Sequence, residues 1–308
     1  MKIAILGAGA MGSLFGAKLS PLADVWLVDP WAAHIQAMQN AGLHLIELDG
    51  AERTVPVQAT SDPIEVGEGV DLAIIFVKSH QTAEAAGWAR PLLKRDGLVL
   101  TLQNGLGNLE TIACEVGANR AVQGVTAHGA TLVEPGRVRH AGQGLTHIAM
   151  QPSIAHQIAD IVKLFEQAGF ETHLSDHLDS LLWGKLIINA GINALTAILR
   201  VRNGLLAEEE SARALMSAAV EEAVQVAQAK GVALPYDEPL ERVRAVAVAT
   251  GPNRSSMLSD VLRGVPTEID VINGAIVREG AGLGIVTPVN QTLVRLIKAI
   301  EATYASRQ

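Results

Sequence analysis

The chain has 308 residues, 49% of them hydrophobic and 18% charged, with a formal net charge of −8 at neutral pH. That length accommodates two domains of ordinary size, and the composition is that of a globular enzyme rather than a disordered chain. The acidic balance argues against nucleic-acid or anionic-membrane partners, and aromatic residues at 3% are too few for stacking platforms on single strands.

The first six residues form an apolar run of strand length that enters Gly7-Ala8-Gly9-Ala10-Met11-Gly12, and Leu14, Phe15, Ala17 and Leu19 follow at helical spacing. Strand, G-x-G-x-x-G and helix in that order open a βαβ dinucleotide site, which makes Gly7, Ala8, Gly9, Ala10, Met11 and Gly12 candidate cofactor-binding residues. The first glycine permits the tight turn, the second lets backbone touch a pyrophosphate, and the third lets helix pack closely on strand. The helix N-terminus adds unpaired N–H groups for the phosphates. Residues 25–28 read as the next strand, and Asp29 ends it at the roughly 20-residue spacing of a ribose-binding carboxylate. Such a carboxylate accepts from ribose hydroxyls and repels a 2′-phosphate. With no Arg or Lys until Arg53, NAD(H) is favoured over NADP(H). The other reading of Asp29 is a cap on a helix beginning near Trp31, with Pro30 at its first position. Because residues 3–12 already form this first turn, no signal peptide is expected. The single cysteine, Cys114, excludes an intrachain disulfide and fits a cytoplasmic protein.

Residues 32–41 read as a helix, 72–77 as a buried strand, 83–93 as a helix and 98–102 as a second buried strand ending at Gln103-Asn104-Gly105. Buried runs alternating with helices predict a parallel sheet covered on both faces. From Arg120 the pattern changes: residues 131–140 form a hairpin centred on Pro135-Gly136, residues 146–150 add a strand, and helical patterning returns over 154–169. His128, His140 and His147 are strand-associated and read as structural. The histidines show no H-E-x-x-H helix, and no metal site is expected. Beyond about Ser175 the helices are 179–199, 207–230, 239–250, 255–263, 267–282 and 288–306, the last with Pro288 in its first turn. The expected architecture is an α/β Rossmann-type dinucleotide-binding domain over residues 1–175, followed by an all-α domain over 176–308 that serves substrate binding and dimerisation. The cleft between two such domains is the natural ligand site, and the long helices are candidates for pairing in a homodimer.

The stretch 181–199 is apolar enough to suggest a membrane span, but Lys185, Asn189 and Asn193 interrupt it, which predicts a buried helix. These three are spaced four apart and share one stripe. A lysine on such a helix must reach water, find an anion or lose its charge, because burying an unpaired ammonium costs on the order of several kcal/mol. A snorkelling lysine with two satisfied core amides is the bland alternative. Three polar residues in register on an oily helix favour a ligand-facing stripe. Asn104 ends a buried parallel strand, at the edge where open α/β sheets bind ligands. Thr267-Glu268-Ile269-Asp270 is expected to begin a helix. Glu268 then either favours the dipole as a first-turn carboxylate or pairs with Lys185, and spacing does not separate the two.

These residues resemble the ketopantoate reductase (2-dehydropantoate 2-reductase) family over essentially the whole chain. The resemblance rests on Gly7–Gly12, Val77-Lys78-Ser79-His80-Gln81, Leu102-Gln103-Asn104-Gly105-Leu106-Gly107 and the hairpin with Gly142-Gln143-Gly144. In the helical half it rests on Trp183-Gly184-Lys185 with its two asparagines, Arg202-Asn203-Gly204, the run from Ser255 to Asp260, and Thr267-Glu268-Ile269-Asp270. It implies NAD(P)H-dependent reduction of a branched 2-keto acid to a 2-hydroxy acid, ketopantoate to pantoate first. Lys185 would be the general acid, Glu268 would hold its ammonium, and Asn104 would lie near lysine and nicotinamide. Asn189, Asn193, Ser256 and Asn203 would bind substrate, and Lys78 would lie by the cofactor. The family's NADP-binding members usually carry an arginine where Pro30 stands here, and some relatives are NAD-dependent D-2-hydroxyacid dehydrogenases, which is the alternative reading. A non-catalytic dinucleotide sensor is a third, disfavoured by the intact Lys185, Asn104 and Glu268.

Overall fold

Strand β1 (Lys2–Leu6) is buried on both faces and sits near the middle of an eight-stranded sheet, so its two sets of side chains each need a covering layer. The computed structural model describes residues 1–306. Around β1 lie β2 (Asp24–Val28), β5 (Gln58–Thr60), β6 (Val70–Ile75), β7 (Leu93–Thr101) and β8 (Ala121–Thr126), all parallel. Strand β11 (Thr146–Ala149) runs antiparallel to β8 and carries β12 (Thr172–Ser175) at the edge, giving the order β12-β11-β8-β7-β6-β1-β2-β5.

Alternation along the strands builds the two layers. Ile3, Ile5, Leu27, Leu72, Ile74, Leu98 and Leu100 face one way, onto helix α1 (Ala10–Leu19) and helix α5 (Ala155–Gln167). There Phe15 stacks on Phe170 with ring centroids 4.0 Å apart and meets the edge of Phe165. Ala4, Leu6, Val28, Ala73, Ile75 and Val99 face the other way, onto α3 (Thr82–Leu92) and α4 (Asn108–Val116). Helix α2 (Ala32–Ala41) follows β2.

A second sheet has four strands, of which the sequence pattern predicts only the hairpin. The Pro135-Gly136 hairpin is present as β9 (Gly129–Glu134) and β10 (Arg137–Gly142), but it pairs with β3 (Leu43–Ile46) and β4 (Glu52–Val55) rather than with the main sheet. Leu43, Leu45, Val55 and Val138 join the core around α1. In this unit His128 and His140 are buried, with Nδ1 of the first 3.1 Å from Nε2 of the second.

The helical unit contains α6 (Leu178–Leu199), α7 (Leu205–Glu208), α8 (Glu210–Ala229), α9 (Pro239–Ala249), α10 (Ser256–Arg263), α11 (Asn273–Gly282) and α12 (Pro288–Ala302). The segment expected as one helix over 207–230 is broken at Glu209, whose carboxylate accepts from the Ala212 N–H and starts α8 afresh. Helix α6 has the length and hydropathy of a membrane span, but 67% of its apolar window is packed inside this fold. Its glycines set close approaches: a Cβ at Gly184 would lie 2.7 Å from Pro235, and one at Gly191 2.8 Å from Val220. By internal contacts the chain divides into residues 1–103 with 108–178, and 179–308 with Asn104–Gly107.

Candidate active site

The α/β unit supplies the glycine turn. Gly7 has φ +97°, and a Cβ there would strike the Val77 backbone nitrogen at 2.5 Å; a Cβ on Gly12 would overlap the Gly7 carbonyl oxygen. Neither position admits a side chain. Gly9 is different, since nothing lies within 4 Å of where its Cβ would be. The turn is therefore closed underneath and open at its middle glycine, the shape a diphosphate needs. Gly9 is also the N-cap of α1, so the first-turn N–H groups meet no capping side chain. Lys78 follows Val77, the residue against which Gly7 packs, and its carbonyl accepts the Gln81 N–H in a short 3₁₀ turn. A buried polar network supports that edge: Gln103 Nε2 donates to the Val77 carbonyl at 2.6 Å and to Thr82 Oγ1 at 3.0 Å.

Asp29 follows β2 and is partly exposed. Its Oδ1 accepts the Trp31 backbone N–H at 3.0 Å, while α2 begins only at Ala32 with Trp31 as its N-cap. The carboxylate thus closes a local turn instead of capping the helix, and Pro30 stands before the helix rather than at its first position.

The helical unit supplies the lysine site. Lys185 sits on α6 between buried Trp183, Leu186 and Ile187. Lack of water pushes its ammonium down to a pKa of about 8, and the Glu268 charge acts in the opposite sense, holding it up. Asn104 Nδ2 lies 3.5 Å from Glu268 Oε2, so lysine, carboxylate and amide form one cluster. The Asn104–Gly107 segment is held there by the Leu106 N–H, which donates to the Val271 carbonyl at 3.0 Å, and by Gly105, whose φ of +84° admits its backbone against Val271.

The expectation that residues 267–270 begin a helix is corrected here. Helix α11 starts at Asn273, and Ile272 has φ −102° and ψ −93°. Residues 267–272 instead make turns: the Thr267 N–H donates to Glu301 Oε1 at 2.7 Å, and the Val271 carbonyl is turned outward to take Leu106. Glu268 is buried at 7% exposure, ahead of the helix, so a favourable first-turn position does not account for it. Its charge acts on Lys185.

Asn189 is partly exposed and Asn193 buried, one and two turns beyond Lys185 on α6. Ser256 is exposed at the start of α10. No sequence pattern marks the residue before it, Ser255, as a site residue. It is buried, caps α10 by accepting from the Leu258 N–H at 3.0 Å, and accepts from Thr196 Oγ1 at 2.8 Å, tying α10 to α6. Asn203 is buried and donates from Nδ2 to Thr250 Oγ1 at 2.9 Å, while its N–H donates to the Asn253 carbonyl; its amide holds the 250–253 loop. Tyr236, also not anticipated, donates its hydroxyl to the Gly184 carbonyl at 2.8 Å, next to Lys185. Among the described residues no group of three or more His, Cys, Asp or Glu is placed to hold a metal ion.

Comparison with known proteins finds relatives over nearly the whole chain. Residues 3–153 match the family model described as Ketopantoate reductase PanE/ApbA, and residues 177–301 match its C-terminal counterpart. A 2-dehydropantoate 2-reductase of Halobacterium salinarum is 37% identical over 302 residues, covering 97% of this chain and 98% of the relative. The crystal structure of a PanE/ApbA family ketopantoate reductase from Ralstonia eutropha superposes with a TM-score of 0.91 at 37% identity, over 99% of this chain and all of that one. A ternary structure of D-mandelate dehydrogenase with NADH and anilino(oxo)acetate gives a TM-score of 0.90 at 31% identity, with the same coverage.

Proposed function

The chain belongs to the ketopantoate reductase PanE/ApbA family, and we propose that it reduces a branched 2-keto acid to the 2-hydroxy acid, ketopantoate to pantoate first. The observation that carries this reading is Lys185, a cation on an apolar helix that shares one cluster with the Glu268 carboxylate and the Asn104 amide. The glycine cradle and Asp29 fit a nicotinamide dinucleotide, which supplies hydride when bound. As hydride reaches the keto carbon, negative charge develops on its oxygen, and a donor that acts there stabilises the transition state more than the ground state. Lys185 Nζ gives that oxygen a proton, leaving a neutral amine and the alcohol, and then regains a proton from water. A pKa near the working pH suits both halves of that cycle. Glu268 keeps the ammonium charged before transfer, and Asn104 holds the carboxylate. Asn189, Asn193 and Ser256 present amide and hydroxyl groups for the substrate's carboxylate and hydroxyl, with Asn203 holding the neighbouring loop.

Asp29 supports a second reading, an NAD-dependent D-2-hydroxyacid dehydrogenase using the same residues in the oxidative direction, with Lys185 as base. A steady-state screen of 2-keto acids and 2-hydroxy acids with both dinucleotides separates the two. The first reading expects ketopantoate to be the best substrate, in the reductive direction. A better aromatic or linear substrate, or turnover of hydroxy acids alone, would replace it with the second.

A further inference from the structure

Behind the glycine turn runs a buried polar chain that the proposed chemistry does not use. Ser13, on α1 immediately after Gly12, is wholly buried and donates its hydroxyl to the Ala8 carbonyl at 2.7 Å. The same oxygen lies 3.1 Å from Nε2 of His34, which is wholly buried on α2. On the other side of the ring the Gly136 backbone N–H donates to His34 Nδ1 at 2.8 Å. A backbone N–H can only donate, so Nδ1 is an acceptor and the neutral ring carries its proton on Nε2. Every bond then has one direction: from Gly136 to His34, from His34 to Ser13, and from Ser13 to Ala8.

The far end of the chain is anchored. Gly136 turns the hairpin with φ +76°, its carbonyl accepts the His44 N–H at 2.9 Å, and a Cβ there would lie 2.8 Å from the Ala37 Cβ of α2. Trp31 covers one face of the imidazole, its plane 17° from the ring. Burial holds the His34 pKa below its ordinary value against the opposing Asp29 carboxylate, the charge that acts on it, so the ring is neutral at pH 7.

The near end has a geometric consequence. In a trans peptide the carbonyl and the following N–H point in opposite directions, and the described chain has no cis bonds. Holding the Ala8 carbonyl inward on Ser13 therefore aims the Gly9 N–H the opposite way, away from Ser13, at a residue whose Cβ position has nothing within 4 Å. We propose that Ser13 and His34 are positioning residues for the dinucleotide turn, setting the Ala8–Gly9 peptide so that its N–H meets the ligand's diphosphate, with the hairpin of the second sheet as their fixed support. The proposal rests on the dinucleotide reading of that turn.

The test is direct titration of the full-length enzyme with NADH and NADPH, followed by nicotinamide fluorescence, alongside melting temperature and steady-state kinetics. Ser13→Ala removes one buried oxygen. It should weaken dinucleotide binding by about 3- to 10-fold, one hydrogen bond's worth, and raise the dinucleotide KM in step while kcat changes less than about twofold. His34→Leu should weaken binding similarly. His34→Gln should restore most of it, because its amide accepts at oxygen and donates at nitrogen, and Ser13→Ala with His34→Leu together should be no worse than the weaker single variant. If His34→Leu fails to fold, Ser13→Ala and His34→Gln still decide the matter. A Ser13→Ala enzyme that binds like the wild type, or one that loses kcat and melting temperature without a change in dinucleotide affinity, overturns the positioning role alone. A wild type that binds neither dinucleotide overturns the reading on which it rests.

Discussion

Replacing Glu268 by Gln tests whether the carboxylate sets the acidity of the proton donor. Two effects meet at Lys185: burial lowers the ammonium's pKa and Glu268 raises it, with a balance of about 8. At pH 7 such a group is roughly nine-tenths protonated. An opposite charge within about 4–6 Å of a titrating group shifts it by about 1–3 units. Glu268→Gln, which keeps the shape and an acceptor for Asn104, should therefore bring Lys185 to about 6. At pH 7 roughly one-tenth of the lysine would then carry its proton, and keto-acid reduction at that pH should slow about tenfold. The loss should be recovered on acidification, since the donor itself is intact. The assay is kcat/KM for reduction from about pH 5 to about pH 10. Wild type should fall above about pH 8 and the variant above about pH 6, from similar plateaus. A descending limb that stays at the wild-type pH would show that Glu268 does not act on the lysine's charge and would refute the argument.

Two further outcomes follow from the α/β unit. Asp29→Ala with Pro30→Arg removes a carboxylate and adds a cation where a 2′-phosphate would lie; wild type should favour NADH, the variant should shift toward NADPH by about tenfold or more in kcat/KM, and a wild type that prefers NADPH would contradict the role given to Asp29. His128, buried beside His140 and Lys18, is pushed down to a pKa of about 4, chiefly by burial. The unfolded chain takes up that proton near pH 6.5, so this contribution to stability is complete above about pH 6.5 and is lost as pH falls toward 4, up to about 3 kcal/mol. Melting temperature should drop more steeply over that range for wild type than for His128→Leu, and equal slopes would contradict it.

The parts legible in the sequence are those carried by local pattern. A strand, a glycine turn and a helix identify each other over residues 2–19 because each limits the next. Lys185, Asn189 and Asn193 stand out because helical period places them on one stripe of an apolar run. What escaped is tertiary. Strands β3, β4 and β5 are three or four residues long and carry exposed polar residues, so they leave little periodic signal. Residues 267–272 have a helix-like composition, but bonds to Glu301 and Leu106, partners 34 and 165 positions away along the chain, hold them in turns. Ser255 was legible as a helix start, yet its bond to Thr196 spans 59 residues and no spacing announces it. The Ser13–His34–Gly136 chain is of the same kind: its members lie on two helices and a hairpin, with 102 positions between the last two.

The central claim is that Lys185 delivers the proton, and it is tested most directly by Lys185→Ala assayed at saturating ketopantoate and dinucleotide, with dinucleotide affinity measured separately. The account predicts a fall in kcat on the order of 10² or more, with affinity for the dinucleotide changed by less than about twofold, since the lysine belongs to the helical unit and the glycine turn to the other. Turnover close to that of the wild type would remove Lys185 from the mechanism.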